Sequence, residues 1–148
     1  MTNVAFLDLA PWPAGTFQFE TPLPGSKSLT LRDCAIAALA DGTSTIRYPG
    51  ECDDYWRMKD CLRRLGISVD DSVANVVRIA GKGGQFNEGA IELDTGQSAV
   101  STRLLLAMAA LRPGATLIDG HISMRNSSPP TTPPGGCTRY TWHGSPSG

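Results

Sequence analysis

No apolar run in this 148-residue chain approaches the length needed to span a membrane, about 20 residues. Charge of one sign is equally lacking. The formal net charge of −1 gives no bulk attraction to nucleic acid or to an acidic membrane, so any anion binding must be local. The four cysteines, Cys34, Cys52, Cys61 and Cys137, form no CxxC pair. Cys34 and Cys61 fall inside expected helices, where a reduced buried thiol is the ordinary reading, and nothing suggests an oxidising compartment. Histidine is scarce: His121 and His143 are isolated, and neither is assigned to catalysis. The G-x-x-x-x-G-K-[ST] phosphate loop is absent. The first residues, MTNVAFLDLAPWP, lack a basic start and are interrupted by Asp8, Pro11 and Pro13, which does not fit a signal peptide. The expectation is a soluble cytoplasmic protein.

What is present falls into two parts. Composition changes after Asn126, and residues 127–148 are rich in Pro, Gly and Ser with almost no aliphatic side chain. Such a segment buries too little apolar surface to offset its ordering entropy, so it is expected to be a disordered tail. Its sudden start suggests a cloning scar or a shifted reading frame. Apolar residues make up 41% of the chain, nearly all of them within residues 1–126, enough to build a core, and the pattern is α/β. Thr16–Glu20 alternates as a strand does, with Phe17 and Phe19. A helix is predicted over Lys27–Ala40, apolar at Leu31, Ala35, Ala38 and Leu39 and stopped by Gly42. Thr43–Arg47 reads as extended. A second helix is predicted over Asp54–Leu65, with Met58, Leu62 and Leu65 on one side and Gly66 as its C-terminal residue. Ile67–Val69 and Val76–Ala80 read as a hairpin, and Gly81–Gly84 as a loop. Ile91–Leu93 reads as a strand, and Ser98–Leu111 as a helix apolar at Val100, Leu104, Ala107, Met108 and Leu111. Ala115–Asp119 reads as the last strand of this part.

Two stretches share a layout. Gly25-Ser26-Lys27-Ser28-Leu29-Thr30-Leu31-Arg32 and Gly96-Gln97-Ser98-Ala99-Val100-Ser101-Thr102-Arg103 each run from a glycine to an arginine inside a new helix, offset by 71 positions. That spacing is too long for a solenoid and points to a duplicated supersecondary unit.

Pro24-Gly25-Ser26-Lys27-Ser28 carries the most chemistry. A tight turn leads into a helix mouth, where unpaired N–H groups and the dipole favour an anion. Ser28 and Arg32, four apart, share a helical face, with Lys27 at the mouth. A hydroxyl, an ammonium and a guanidinium there suit a phosphate and a carboxylate. The competing reading is a serine cap with two solvated cations. Gln97, Ser98 and Arg103 repeat the design more weakly. Asp53-Asp54 fits helix N-capping better than a metal pair.

In this order, Pro24–Ser28 with Arg32, Asp53-Asp54 with Met58, and the run ending at Arg103 resemble the EPSP synthases among the enolpyruvyl transferases. The resemblance covers about Phe17–Asn126. It implies βαβαββ units with helix N-termini facing a cleft, here one complete unit (about 24–84) plus part of a second (about 89–126). The implied reaction joins the 5-hydroxyl of shikimate 3-phosphate to C2 of phosphoenolpyruvate, with protonation at C3 and subsequent loss of phosphate. It uses no metal or organic cofactor, no nucleic acid and no membrane. By carry-over, Lys27 is the catalytic cation contacting phosphoenolpyruvate, while Ser28 and Arg32 hold shikimate 3-phosphate. Gln97, Ser98, Ala99 and Val100 approach phosphoenolpyruvate, and Arg103 supports that wall.

Departures from the family pattern carry expectations of their own. Leu31 stands where asparagine is usual, and Leu104 where proline is common. Ala99 replaces a glycine, which in the family marks glyphosate-tolerant forms. Ser127-Ser128 replace an Arg-Pro pair whose arginine binds phosphoenolpyruvate. The isolated chain is expected to be inactive without a complementary C-terminal portion. The alternative is a non-catalytic anion-binding or interaction module.

Overall fold

The computed structural model describes residues 15, 18, 20–125 and 140–143. Its elements, in chain order, are α1 (Lys27–Leu39), β1 (Asp41–Arg47), α2 (Asp53–Arg64), β2 (Ser68–Val73), β3 (Val76–Lys82), β4 (Ile91–Asp94), α3 (Ala99–Ala109), β5 (Ala115–Asp119), α4 (Ile122–Arg125) and β6 (Tyr140–His143). The expected α/β class holds. The expected strand at Thr16–Glu20 falls mainly outside the described residues, and Gln18 and Glu20 belong to no regular element.

Two three-stranded sheets carry the helices. In the first, β3 lies between β1 and β2 and is antiparallel to both. In the second, β5 lies between β4, which is parallel to it, and β6, which is antiparallel. The parallel pair is joined through α3, the crossover that a β–α–β unit requires. Helix α1 packs against β3, α2 and α3, and α2 packs against β2 of the first sheet and β4 of the second, so the helices tie the two sheets together.

One apolar cluster runs through the whole body. Leu31, Cys34 and Ala38 come from α1, Met58 and Leu62 from α2, Ile79 from β3, Leu93 from β4, Leu105 and Met108 from α3, and Ile118 from β5. Each large side chain buried there contributes about 1.5–3 kcal/mol. The α2 face is the one predicted: Met58, Leu62 and Leu65 have no exposed surface. Gly66, at φ +86°, ends that helix in a conformation that other residues adopt with strain.

Three sequence expectations need correction. Gly42 does not stop α1. The helix ends at Leu39, and the Ala40 carbonyl accepts the Gly83 N–H at 3.0 Å, so Gly42 lies inside β1. On α3 the buried face carries Leu105, Met108 and Ala109, whereas Leu111 is 56% exposed and Ala107 is exposed. That helix is apolar on most sides, so periodicity alone did not select a face. Finally, the segment 127–148, expected to be a disordered tail, contains a strand. Tyr140–His143 form β6 against β5, and the aromatic and β-branched residues Tyr140, Thr141 and Trp142 suit a strand. The rest of that segment lies outside the described residues. No helix among the described residues is long and apolar enough to cross a membrane.

Candidate active site at the helix mouths

The turn before α1 is fixed by backbone contacts that only glycine permits. A Cβ on Gly25 would overlap the Tyr48 carbonyl, and one on Gly50 would come within 2.8 Å of the Lys27 nitrogen. Thr30 locks the two loops together: its hydroxyl donates to the Ser26 carbonyl at 2.9 Å and accepts the Gly50 N–H at 2.9 Å. Ser26 is the N-cap, and its hydroxyl oxygen accepts from the Leu29 N–H at 3.5 Å. The Lys27 and Ser28 N–H groups have no hydrogen-bond partner among the described residues, as first-turn donors lack an intrahelical one.

Helix α3 begins in the same way. Ser98 is its N-cap: its hydroxyl accepts the Ser101 N–H at 3.2 Å and lies 2.8 Å from the Ser101 hydroxyl. Thr102 donates back to the Ser98 carbonyl at 2.9 Å, as Thr30 does to Ser26. This sets the structural offset between the helices. Ser26 pairs with Ser98, Thr30 with Thr102, and the first helical residue Lys27 with Ala99, each 72 positions apart. The 71-residue offset read from glycine to arginine is therefore corrected by one, because Gly96 lies two residues before its cap and Gly25 only one. Arg32 and Arg103 are not equivalent. Arg103 stands at the helical position of buried Leu31, about 100° around the helix from that of Arg32.

The ammonium of Lys27 donates to the Asp54 carboxylate at 2.8 Å, joining the N-terminal turns of α1 and α2. This hydrogen bond, and the charge behind it, raise the Lys27 pKa above the ordinary lysine value. Asp53 and Asp54 are first-turn residues of α2, not its cap. Cys52 holds the cap position and makes no side-chain cap bond. Both carboxylates still favour that helix end through its dipole. The Arg32 guanidinium folds back towards the α1 mouth and donates to the Ser28 carbonyl at 2.8 Å.

A cavity of about 540 Å³ joins the α2 mouth to the α3 mouth, with Asp53, Asp54, Arg57, Gly96, Gln97 and His121 in its wall. Three helix N-termini thus meet at one end of the molecule: Lys27 reaches Asp54, and Asp54 shares a cavity with Gln97. The glycine at 96 has φ +58°, and its carbonyl accepts the His121 N–H at 2.8 Å. This pins the α3 mouth to the end of β5, on the carboxyl side of the parallel pair where ligands bind in open α/β sheets.

Not every expected residue comes to that end with a free side chain. Lys27, Arg32, Gln97 and Ala99 are exposed, and Ser28 is half-buried. Ser98 is only 2% exposed and its hydroxyl is spent on the cap, so it serves the site by setting the helix mouth. Val100 is packed against the core. Arg103 is exposed, with no hydrogen bond or ion pair among the described residues, and neither it nor Arg32 lines the cavity. Sequence reasoning missed the Lys27–Asp54 pair, the Thr30–Gly50 lock and the position of His121. The repeated Ser-x-x-x-Thr at 26–30 and 98–102 was the available signal for the caps. Nothing local announces a pair 27 residues apart.

The sequence model of one family, EPSP synthase (3-phosphoshikimate 1-carboxyvinyltransferase), matches residues 15–127. Among similar curated proteins, the 3-phosphoshikimate 1-carboxyvinyltransferase of Ralstonia pickettii is 36% identical over 108 residues, which cover 73% of this chain and 25% of the relative. That of Rhizobium leguminosarum bv. trifolii is 35% identical over 125 residues, covering 84% and 29%. A solved EPSP synthase from Acinetobacter baumannii superposes with a TM-score of 0.66 at 27% identity, over 72% of this chain and 24% of that one. The chain spans about a quarter of the length of these relatives. By the extent of these matches and by its fold, the chain belongs to the EPSP synthase family.

Proposed function

We propose that this chain contributes the first part of an EPSP synthase active site, where the enolpyruvyl group of phosphoenolpyruvate passes to shikimate 3-phosphate in the cytoplasm. The observation that carries this reading is the meeting of three helix N-termini through Lys27, Asp54 and Gln97. Such an end offers unpaired N–H groups and dipoles to two anionic substrates. Lysine has three N–H donors, of which Asp54 takes one, leaving two for phosphoenolpyruvate. Ser28 and Arg32 hold shikimate 3-phosphate. Gln97 and the N–H groups of Ala99 and Val100 form the facing wall, supported by Arg103. These groups work by positioning and by stabilising charge.

Turnover requires the remaining portion of the enzyme, and the chain by itself is inactive. The test is phosphate release from phosphoenolpyruvate and shikimate 3-phosphate, by the chain alone and after joining the C-terminal portion of a relative. Release only after joining is expected. Robust release by the chain alone overturns the need for completion. A folded, joined protein that binds phosphate without turnover favours an anion-binding module instead. Glyphosate tolerance follows from the exposed Ala99 methyl at the α3 mouth, which shortens the room beside phosphoenolpyruvate. In the joined enzyme, Ala99→Gly is expected to strengthen glyphosate inhibition, and unchanged inhibition refutes this.

A further inference from the structure

We infer that the edge of β5 opposite β4 is a strand-acceptor slot, and that Tyr140–His143 of this chain occupies it in place of a unit's own hairpin strand. The inference is independent of the reaction assigned above. It starts from the offset of 72. Under that offset β5 (Ala115–Asp119) matches residues 43–47 of β1, and each strand has an antiparallel partner. In the first unit Thr43, Ser44, Thr45 and Ile46 pair with Ala80, Ile79, Arg78 and Val77 of β3. In the second, Ala115, Thr116, Leu117 and Ile118 pair with His143, Trp142, Thr141 and Tyr140. The two partner strands therefore hold the same register, position for position.

Their sequences share a pattern as well. Reading along the strand, β3 runs Val77-Arg78-Ile79-Ala80, with Val77 and Ile79 fully buried and Arg78 exposed. β6 runs Tyr140-Thr141-Trp142-His143, with large aromatic residues at the two register positions that β3 fills from the core. Apolar–polar–apolar alternation is what a half-buried strand needs. Yet β3 follows directly from β2 in a hairpin, whereas β6 lies beyond residue 127, where the family match ends. The slot has thus been filled by a strand from outside the matched segment. An edge that accepts such a strand is open to augmentation, because its N–H and C=O groups pair with any backbone that presents the right alternation. The occupant is this chain's own Tyr140–His143, and a strand supplied in trans competes with it.

Amide hydrogen exchange on the full chain tests this. Thr141→Pro removes a backbone N–H from the middle of β6. It is expected to speed exchange at β5 amides by about tenfold or more, while amides of β1, β2 and β3 keep their protection and report that the body is folded. An excess of a peptide carrying the β3 sequence Val-Val-Arg-Ile-Ala-Gly is then expected to restore protection in β5. Unchanged β5 exchange in Thr141→Pro overturns the assignment of β6 as occupant. Loss without recovery by the peptide overturns the slot as an acceptor. Protection in the unaltered chain that rises with protein concentration marks a strand from a second copy, and also overturns the intrachain assignment.

Discussion

The Asp54 carboxylate, in the first turn of α2, accepts a 2.8 Å hydrogen bond from the ammonium of Lys27 at the first position of α1. The two groups differ in freedom: 18% of the Asp54 side chain is exposed against 53% for Lys27. The carboxylate is the fixed anchor and the lysine the movable group. A cation at a helix N-terminus is opposed by the dipole, so Lys27 needs such a counter-charge to rest at the mouth.

Asp54→Asn is therefore expected to lower the Lys27 titration midpoint, followed by NMR of the side-chain nitrogen. The sign is fixed by the raised folded pKa. The pair's stabilisation is complete below the ordinary lysine value and lost as pH rises through the elevated one. Since the lysine is half exposed, the loss at neutral pH should be no more than about 1 kcal/mol. A midpoint that does not move shows that the pair is not populated in solution.

Thr30→Val tests the lock behind the α1 mouth. Thr30 is 4% exposed, and its hydroxyl serves both the Ser26 carbonyl and the Gly50 N–H. Removing it leaves a buried N–H unpaired, at a cost of about 1–3 kcal/mol. Gly50→Ala should cost more, because its Cβ meets backbone that cannot rotate away. Urea denaturation with an unchanged slope measures both losses. Wild-type stability in Gly50→Ala rules out the close approach of the two loops.

Legibility of the fold followed the kind of interaction involved. The α2 stripe of Met58, Leu62 and Leu65, ended by Gly66, was readable because polar residues flank it and one face alone could be inner. On α3, Leu104, Leu105, Leu106 and Met108 crowd several sides, so only packing against β5 and α1 decides that Leu105 is inner. At the site, the position of Lys27 at a helix mouth was legible from Pro24, Gly25 and Ser26. The role of Asp54 was not, since a tertiary approach of two helices creates it. The arginine match concealed the offset of 72, because a glycine can precede its cap by one residue or by two.

The thiols of Cys34 and Cys61 are buried, and burial pushes each up to about 12. Tyr55 is likewise raised to about 12, chiefly by burial. Near neutral pH, alkylation of the folded chain should label half-buried Cys52 well before Cys34 or Cys61, as read by mass spectrometry of the peptides. Above about pH 9 the unfolded chain ionises these groups while the folded one keeps them protonated, so stability should fall steadily as pH rises towards 12. Equal labelling of Cys34, Cys52 and Cys61 under folding conditions contradicts the buried placement.

Arg112, only 2% exposed, ties the connection between β3 and β4 to β5. Its guanidinium donates to the carbonyls of Asn87 and Gly89 at 2.8 Å each, to that of Ala115 at 3.5 Å, and to the Thr116 hydroxyl. Burial lowers its pKa, but a guanidinium stays charged throughout the accessible pH range. Its fork satisfies acceptors on both sides of the junction, which a lysine of similar length cannot do. Arg112→Met keeps much of the apolar stem but leaves these oxygens without their donor. The expected loss is about 2–4 kcal/mol, with faster amide exchange around residues 87–89 and in β5. Arg112→Lys should recover less than half of that loss. Full recovery by lysine means that charge alone, without the forked geometry, holds the junction together.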